Sequence, residues 1–313
     1  MEIVLEIVLP IFGVVVLGYG ATRLGWFGGE ADAGLAKFVF DFAVPIMLFR
    51  SLATAELPAT IPWGYFGSYY LSAAAVYLLG FGLARFAFKR SYGGQVITGF
   101  GFAFGNTVLL GLPLILTTFG EQAALPFFIL LSIHGLSFFT LTTLLLEADH
   151  LSGTASKRER GRQIVKSLFT NPILVGIFAG LAVNLAHLEL LAPIEAICAL
   201  MQQAVTPCAL FSLGCSLTKY GMAGRVQQSI IMVVAKTVLM PALVYVLATR
   251  VFDIEPLWTM VAVLMAAQPS GVMTYIFAKK YGVGQAIATT SIFLSTALSL
   301  VTLSIILFLF DVR

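Results

Sequence analysis

The sequence predicts an all-α polytopic membrane protein, with ten transmembrane helices in two inverted five-helix repeats. Three observations carry that expectation. The 313 residues are 59% hydrophobic and 11% charged, with a mean hydropathy of +0.97, whereas soluble domains carry roughly 25% charged residues. A shift of 162 residues superposes Pro10 on Pro172, Gly18 on Gly180, Pro45 on Pro207, Phe49 on Phe211, Gly120 on Gly282, Ser137 on Ser299 and Thr140 on Thr302. Apolar coincidences are cheap in such a chain, but two Pro pairs and two Gly pairs in one gapless register mark two copies of one unit. Finally, Lys and Arg fall on alternate connections between apolar segments. An odd number of spans per copy turns the second copy over in the bilayer.

A hydrocarbon core about 30 Å thick takes roughly 20 residues of helix. Charge clusters, Pro and Gly divide the chain into spans near residues 2–22, 34–54, 62–88, 94–118, 122–146, 169–187, 193–217, 226–250, 257–279 and 284–310. The first is expected to be retained, because Glu2 and Glu6 stand where a signal peptide is basic and no Ala-x-Ala pattern follows. Residues 1–147 then hold the first repeat, 148–168 a cytoplasmic linker and 169–313 the second repeat. The linker's basic cluster reads as solvated chain, with a lipid-headgroup or regulatory contact as the alternative.

Basic residues accumulate in cytoplasmic connections. Those after spans 1, 3, 5, 7 and 9 contain Arg23, Lys37, Arg85, Lys89, Arg90, Lys157, Arg158, Arg160, Arg162, Lys166, Lys219, Arg225, Lys279 and Lys280, against Arg50, Arg250 and Arg313 on the other side. Both termini are therefore expected outside. The net charge of +3 is topological and not a nucleic-acid footprint.

Two spans do not read as continuous helices. Span 4, Gly99–Gly120, packs Gly105, Asn106, Thr107, Gly111 and Pro113 into mid-membrane, and its repeat mate, Val261–Gly282, has Gln268, Pro269, Ser270 and Gly271 there. At the offset, Asn106 falls on Gln268 and Thr107 on Pro269. Pro removes a backbone donor and Gly weakens helix, and freed backbone groups survive only beside a cavity or under protein. Simple kinks are the alternative. Interruptions at matching depth in both repeats point to a substrate site, where half-helix N-termini offer partial positive charge to an anion.

These segments also carry a resemblance. GNTVLLGLPL at Gly105–Leu114 and QPSGVMTYIFAKKYG at Gln268–Gly282 resemble the paired crossover signatures of the auxin efflux carrier family. AVPIMLF at Ala43–Phe49 and AKTVLMP at Ala235–Pro241 are similar to its second and eighth spans, so the likeness covers most of the chain. It implies ten spans in two inverted five-helix repeats with broken, crossing helices 4 and 9. It also implies transport of organic acids, since the family includes plant auxin exporters and bacterial carriers assigned to malonate, malate and related carboxylates. Plant members usually place Pro before the span 4 Asn, where this chain has Gly105.

Charges inside a span are costly and functional by default. Lys236, about ten residues into span 8, is a candidate cation for a carboxylate, or else a structural partner of carbonyls at a helix break. Asp41, one turn before Pro45, is a proton carrier or Na+ ligand in one reading and a structural group relieving the kink in the other. His134 in span 5 suits proton coupling or hydrogen-bonded packing. Arg50 and Glu147 lie near span ends and reach the interface. Cys198, Cys208 and Cys215 match no metal or redox spacing and read as small buried residues.

The expected function is secondary active transport of a small mono- or dicarboxylate of malonate or malate type, by alternating access. Asn106, Thr107, Gln268 and Ser270 would orient the anion, Lys236 would add charge, and Asp41 or His134 would couple an ion. No cofactor or metal is expected, and the coupling ion is H+ or Na+. A sodium symporter of bile-acid type and an anion channel are the alternatives. Expected partners are the organic anion and the lipid bilayer, with no nucleic acid and a homodimer left open. The location is the cell membrane of bacterial inner-membrane type, both termini periplasmic. No Gly-x-Ser-x-Gly elbow or aspartate pair suggests an enzyme.

Overall fold

The computed structural model of the chain describes residues 4–55, 57, 63–150, 172–220, 222 and 226–310. The expected linker from residue 151 onward lies outside the described residues, as do Lys157, Arg158, Arg160, Arg162, Lys166, Arg225 and Arg313. The described residues are helical, joined by turns and one isolated bridge. Their helices are α1 (Leu9–Arg23), α2 (Glu30–Phe38), α3 (Val44–Ala53), α4 (Trp63–Phe86), α5 (Tyr92–Ala103), α6 (Leu112–Phe119) and α7 (Ala124–His150). Then follow α8 (Pro172–Leu185), α9 (Ala192–Leu217), α10 (Val226–Val234), α11 (Met240–Val246), α12 (Pro256–Ala266), α13 (Met273–Lys280) and α14 (Gln285–Leu309).

Six helical runs among the described residues are long and apolar enough to cross a membrane: Glu6–Arg23, Trp63–Phe86, Thr107–Leu146, Ala192–Leu217, Val226–Val251 and Gln285–Leu309. They cover expected spans 1, 3, 5, 7, 8 and 10. The others fall short for separate reasons. Span 2 is helical to Ala53 but carries Lys37, Asp41 and Arg50. Spans 4 and 9 are interrupted, and the described part of span 6 is the short apolar helix Pro172–Leu185.

Proline shapes the long helices. Wide, five-residue turns at Val4–Val8, Val39–Ala43, Thr107–Gly111 and Ala235–Leu239 each end two residues before a proline, at Pro10, Pro45, Pro113 and Pro241. A proline supplies no N–H to the carbonyl four residues back, and its ring crowds that carbonyl. The preceding turn opens into π geometry, a form common at functional sites. Asp41, Thr107 and Lys236 all sit on such turns.

Local geometry recurs at the 162-residue offset. Gly120 ends α6 at φ +70° and its mate Gly282 follows α13 at φ +69°, a left-handed conformation that glycine adopts without strain. Packing recurs as well: α1 lies along α9, and α3 along α8. A Cβ on Gly18 would stand 2.2 Å from the Phe211 carbonyl oxygen, and one on Gly180 would stand 2.5 Å from that of Phe49. Gly18 and Gly180 are repeat mates, and so are Phe49 and Phe211. Close approach through small residues is how helices associate where lipid removes the hydrophobic drive.

A second group of helices joins α4 to α5, α5 to α7, α11 to α12 and α10 to α14. Large apolar side chains such as Val16, Leu17, Phe178, Leu200, Val238 and Phe308 face outward, as lipid contact requires. The two groups meet where α9 packs against the turn Thr107–Gly111.

Candidate functional site

Two helices stop within their expected spans. α5 is capped by Ser91, whose hydroxyl accepts from the Gly94 N–H at 3.4 Å, and ends where Phe104 turns extended at φ −85°, ψ 120°. In the second half, Pro269 disfavours helical backbone at Gln268, so α12 stops at Ala266 and α13 begins at Met273. The two breaks cross. Gly105 and Ser270 form an antiparallel bridge, in which the Asn106 N–H donates to the Pro269 carbonyl at 2.7 Å and the Gly271 N–H to the Phe104 carbonyl at 3.0 Å. The Ser270 N–H donates to Ser295 Oγ at 3.0 Å, and Ser270 Oγ to the Gly101 carbonyl at 3.4 Å. Backbone groups that leave the helices thereby find partners across the crossing, as a water-poor interior demands. Glycine permits the approach, because a Cβ on Gly271 would stand 2.6 Å from the Phe104 ring.

The crossing sorts helix ends by polarity. Lys236, fully buried on its wide turn, donates to the carbonyl of Ala266, the last residue of α12. The ammonium meets the end at which a helix carries roughly half a negative charge. The two N-terminal ends, at Thr107–Leu109 and Gly271–Met273, border a cavity of about 440 Å³. There the helices present open N–H groups and partial positive charge.

Side chains add to that polarity. Asn106 and His134 line the cavity, are 7% and 1% exposed, and leave Nδ2 and Nε2 without a partner. The Tyr69 hydroxyl lies 3.4 Å from His134 Nδ1. The imidazole also stacks on Phe104, with centroids 4.8 Å and planes 17° apart, which ties α7 to the crossing. Asp41 lines the cavity too; its carboxylate is part exposed and lies 3.6 Å from Lys37 Nζ.

The structure therefore brings Gly105, Asn106, Thr107, Gly271, Asp41 and His134 around one cavity. Gln268, Ser270 and Lys236 do not line it and have other partners, and Lys236 Nζ is 3.1 Å from where a Cβ of the lining Gly105 would stand. Gln268 Nε2 donates to the Leu264 carbonyl at 2.9 Å, and its Cγ is 3.0 Å from where a Cβ of Gly111 would stand. Pro113 opens α6, and Pro269 gives its carbonyl to Asn106. Phe104, Ser132, Phe139 and Met273 also line the cavity and carry no signal in the sequence. Nothing distinguishes them from neighbours in equally apolar helices.

Membrane-crossing helices around a cavity at the meeting of two interrupted helices define a multi-pass membrane transporter. Residues 3–307 match the family described as membrane transport protein, and the chain belongs to it; this is the auxin efflux carrier family. It is a transporter and not an enzyme. The chain is 27% identical over 305 residues to a Rhizobium meliloti (strain 1021) protein named "Putative malonate transporter", covering 97% of this chain and 94% of the other. It is 23% identical to auxin efflux carrier component 8 of Arabidopsis thaliana, covering 98% and 97%. A protein of Methanothermobacter thermautotrophicus named as an uncharacterized transporter is 27% identical, covering 95% of each chain.

Proposed function

We propose that the chain is a secondary active carrier of a small organic anion. The observation that carries this reading is the convergence of two half-helix N-termini and the buried, unpaired Nδ2 of Asn106, with His134 beside them, around the cavity. Such a lining suits an acceptor-rich, negative ligand. The relative named for malonate agrees with a carboxylate.

The carrier has ten spans in two inverted repeats, with both termini outside. Contacts between span ends support this. Arg50, ending span 2, reaches Glu121 before span 5 at 3.5 Å and Glu195 at the start of span 7 at 2.7 Å. Asn184 Nδ2, late in span 6, donates to the carbonyls of Leu52, Ala53 and Ala55. At the other ends, Asp32 before span 2 pairs with Lys219 after span 7 at 2.5 Å, and Arg90 before span 4 donates to Gln228 at the start of span 8. Each contact joins ends that ten alternating spans put on one face. Spans 3–5 and 8–10 then move against spans 1, 2, 6 and 7 about the crossing, driven by H+ or Na+.

Uptake into proteoliposomes of a carboxylate panel, under imposed Na+ or pH gradients, tests the reading. Saturable flux with counterflow and dependence on one gradient is expected. Unsaturable flux identifies a channel, and uptake of no carboxylate refutes the anion assignment.

A further inference from the structure

The two repeats fold alike but do not pack alike. At the 162-residue offset α6 falls on α13, α7 on α14, and α9 on span 2 from α2 to α3. In one set of contacts α6 packs against α9 and α7 against α3. Their mates, α13 with span 2 and α14 with α9, have no comparable packing among the described residues. The cavity lies in that gap, lined by Phe40 and Asp41 of span 2 and by Met273 and Ile276 of α13. Single side chains repeat the difference. Leu114 on α6 is fully buried, whereas its mate Ile276 on α13 is 47% exposed and lines the cavity.

On the ten-span reading just given, Phe40, Asp41, Pro172 and Ile276 stand toward the ends that carry Lys219, Lys279 and Lys280, opposite the face closed by Arg50, Glu121 and Gln202. Inverted copies of one unit can take on each other's packing, which opens one face as it closes the other. The local turns for that exchange are already shared, since Gly120 and Gly282 have φ +70° and +69°. The chemistry of the two closures differs. Arg50, Glu121 and Gln202 fall on Ser212, Val283 and Phe40 at the offset. One face is therefore held by charge and hydrogen bonds, and the other is left to close by apolar contact.

We propose that the chain has a second state in which α13 closes on span 2 and buries Ile276 against Phe40, while α6 parts from α9 and bares Leu114 toward the Arg50 face. Phe40 and Ile276 are the gate of the face that is open in this structure. The two packings are alternatives, as discrete packed interfaces allow.

The full chain in proteoliposomes, in a background free of Cys198, Cys208 and Cys215, tests this with Phe40→Cys, Ile276→Cys and Leu114→Cys together. A disulfide needs Cα atoms within about 7 Å, so its formation between positions 40 and 276 reports closure of the gap. Mild oxidation is expected to form it, as read by mass spectrometry. An impermeant maleimide applied at the Arg50 face is then expected to label Leu114→Cys at least about tenfold faster than in the reduced protein. A folded protein that never forms the disulfide overturns the proposal, as does a disulfide that leaves the labelling rate unchanged. If Leu114→Cys fails to fold, Gln202→Cys takes its place with the same two outcomes. No ligand is added, so this result is independent of the carboxylate uptake that tests the function itself.

Discussion

The ammonium of Lys236 is hydrogen-bonded to the carbonyl of Ala266, where α12 ends at the crossing. This partner gives Lys236 the work of closing a helix C-terminus at the crossing, next to the cavity-lining Gly105.

Lys236→Met keeps the apolar stem and removes the donor, leaving a buried carbonyl unpaired at a cost of about 1–3 kcal/mol. The expected outcome is a lower Tm and less folded protein, with ligand affinity of the surviving folded fraction within about threefold. Thermal unfolding alongside equilibrium binding checks it. Unchanged stability with lost binding would return Lys236 to the substrate site.

Asn106 lines the cavity, whereas Gln268, its mate at the offset, spends its Nε2–H on Leu264 at 2.9 Å. Asn106→Leu should weaken carboxylate binding about tenfold. Gln268→Leu should leave binding near wild type while lowering stability, because it strips a bond from the end of α12. In a double-mutant cycle on affinity the two effects are expected to add. Coupling of more than about 1 kcal/mol would mean that both amides hold the ligand.

Gly18→Ala and Gly180→Ala each place a methyl group against a backbone oxygen, at 2.2 and 2.5 Å. Both should destabilise by about 1–3 kcal/mol or more, and by similar amounts, since the two contacts are repeat mates. Gly13→Ala, with open space around its Cβ, serves as the control. Equal Tm values for all three variants would contradict the swapped packing of α1 with α9 and α3 with α8.

Arg50 joins the two helix groups at one face. It donates to Glu195 and to Gln202 at 2.7 Å, and Glu121, just ahead of α7, accepts from Gln202 at 2.8 Å. Glu121→Ala should loosen this face. A cysteine at Val272, in a background free of Cys198, Cys208 and Cys215, should then react faster with an impermeant thiol reagent applied from that side. Identical labelling rates in the two backgrounds would show that the contact does not restrain the cavity.

Much of this was legible from composition and spacing. Membrane class follows from hydropathy, because partition into hydrocarbon depends on residue type rather than on fold. The breaks at Gly105–Asn106 and Pro269 were legible for a local reason: a proline lacks its donor wherever it stands. The offset pairing of Gly120 with Gly282 reappeared as a shared left-handed turn.

What the tertiary structure decided is the direction each of these groups faces. Asn106 and Gln268 are mates at the 162-residue offset, yet the first lines the cavity and the second turns back to its own helix. Lys236 goes to a helix C-terminus, and His134 reaches the N-terminal side through its stack on Phe104. In a soluble helix a polar face would have marked the outward side. Here α7 and its neighbours are apolar all round, lipid being as apolar as protein interior, so periodicity does not tell one side of a helix from another. Only packing against the crossing backbones selects which side meets the cavity.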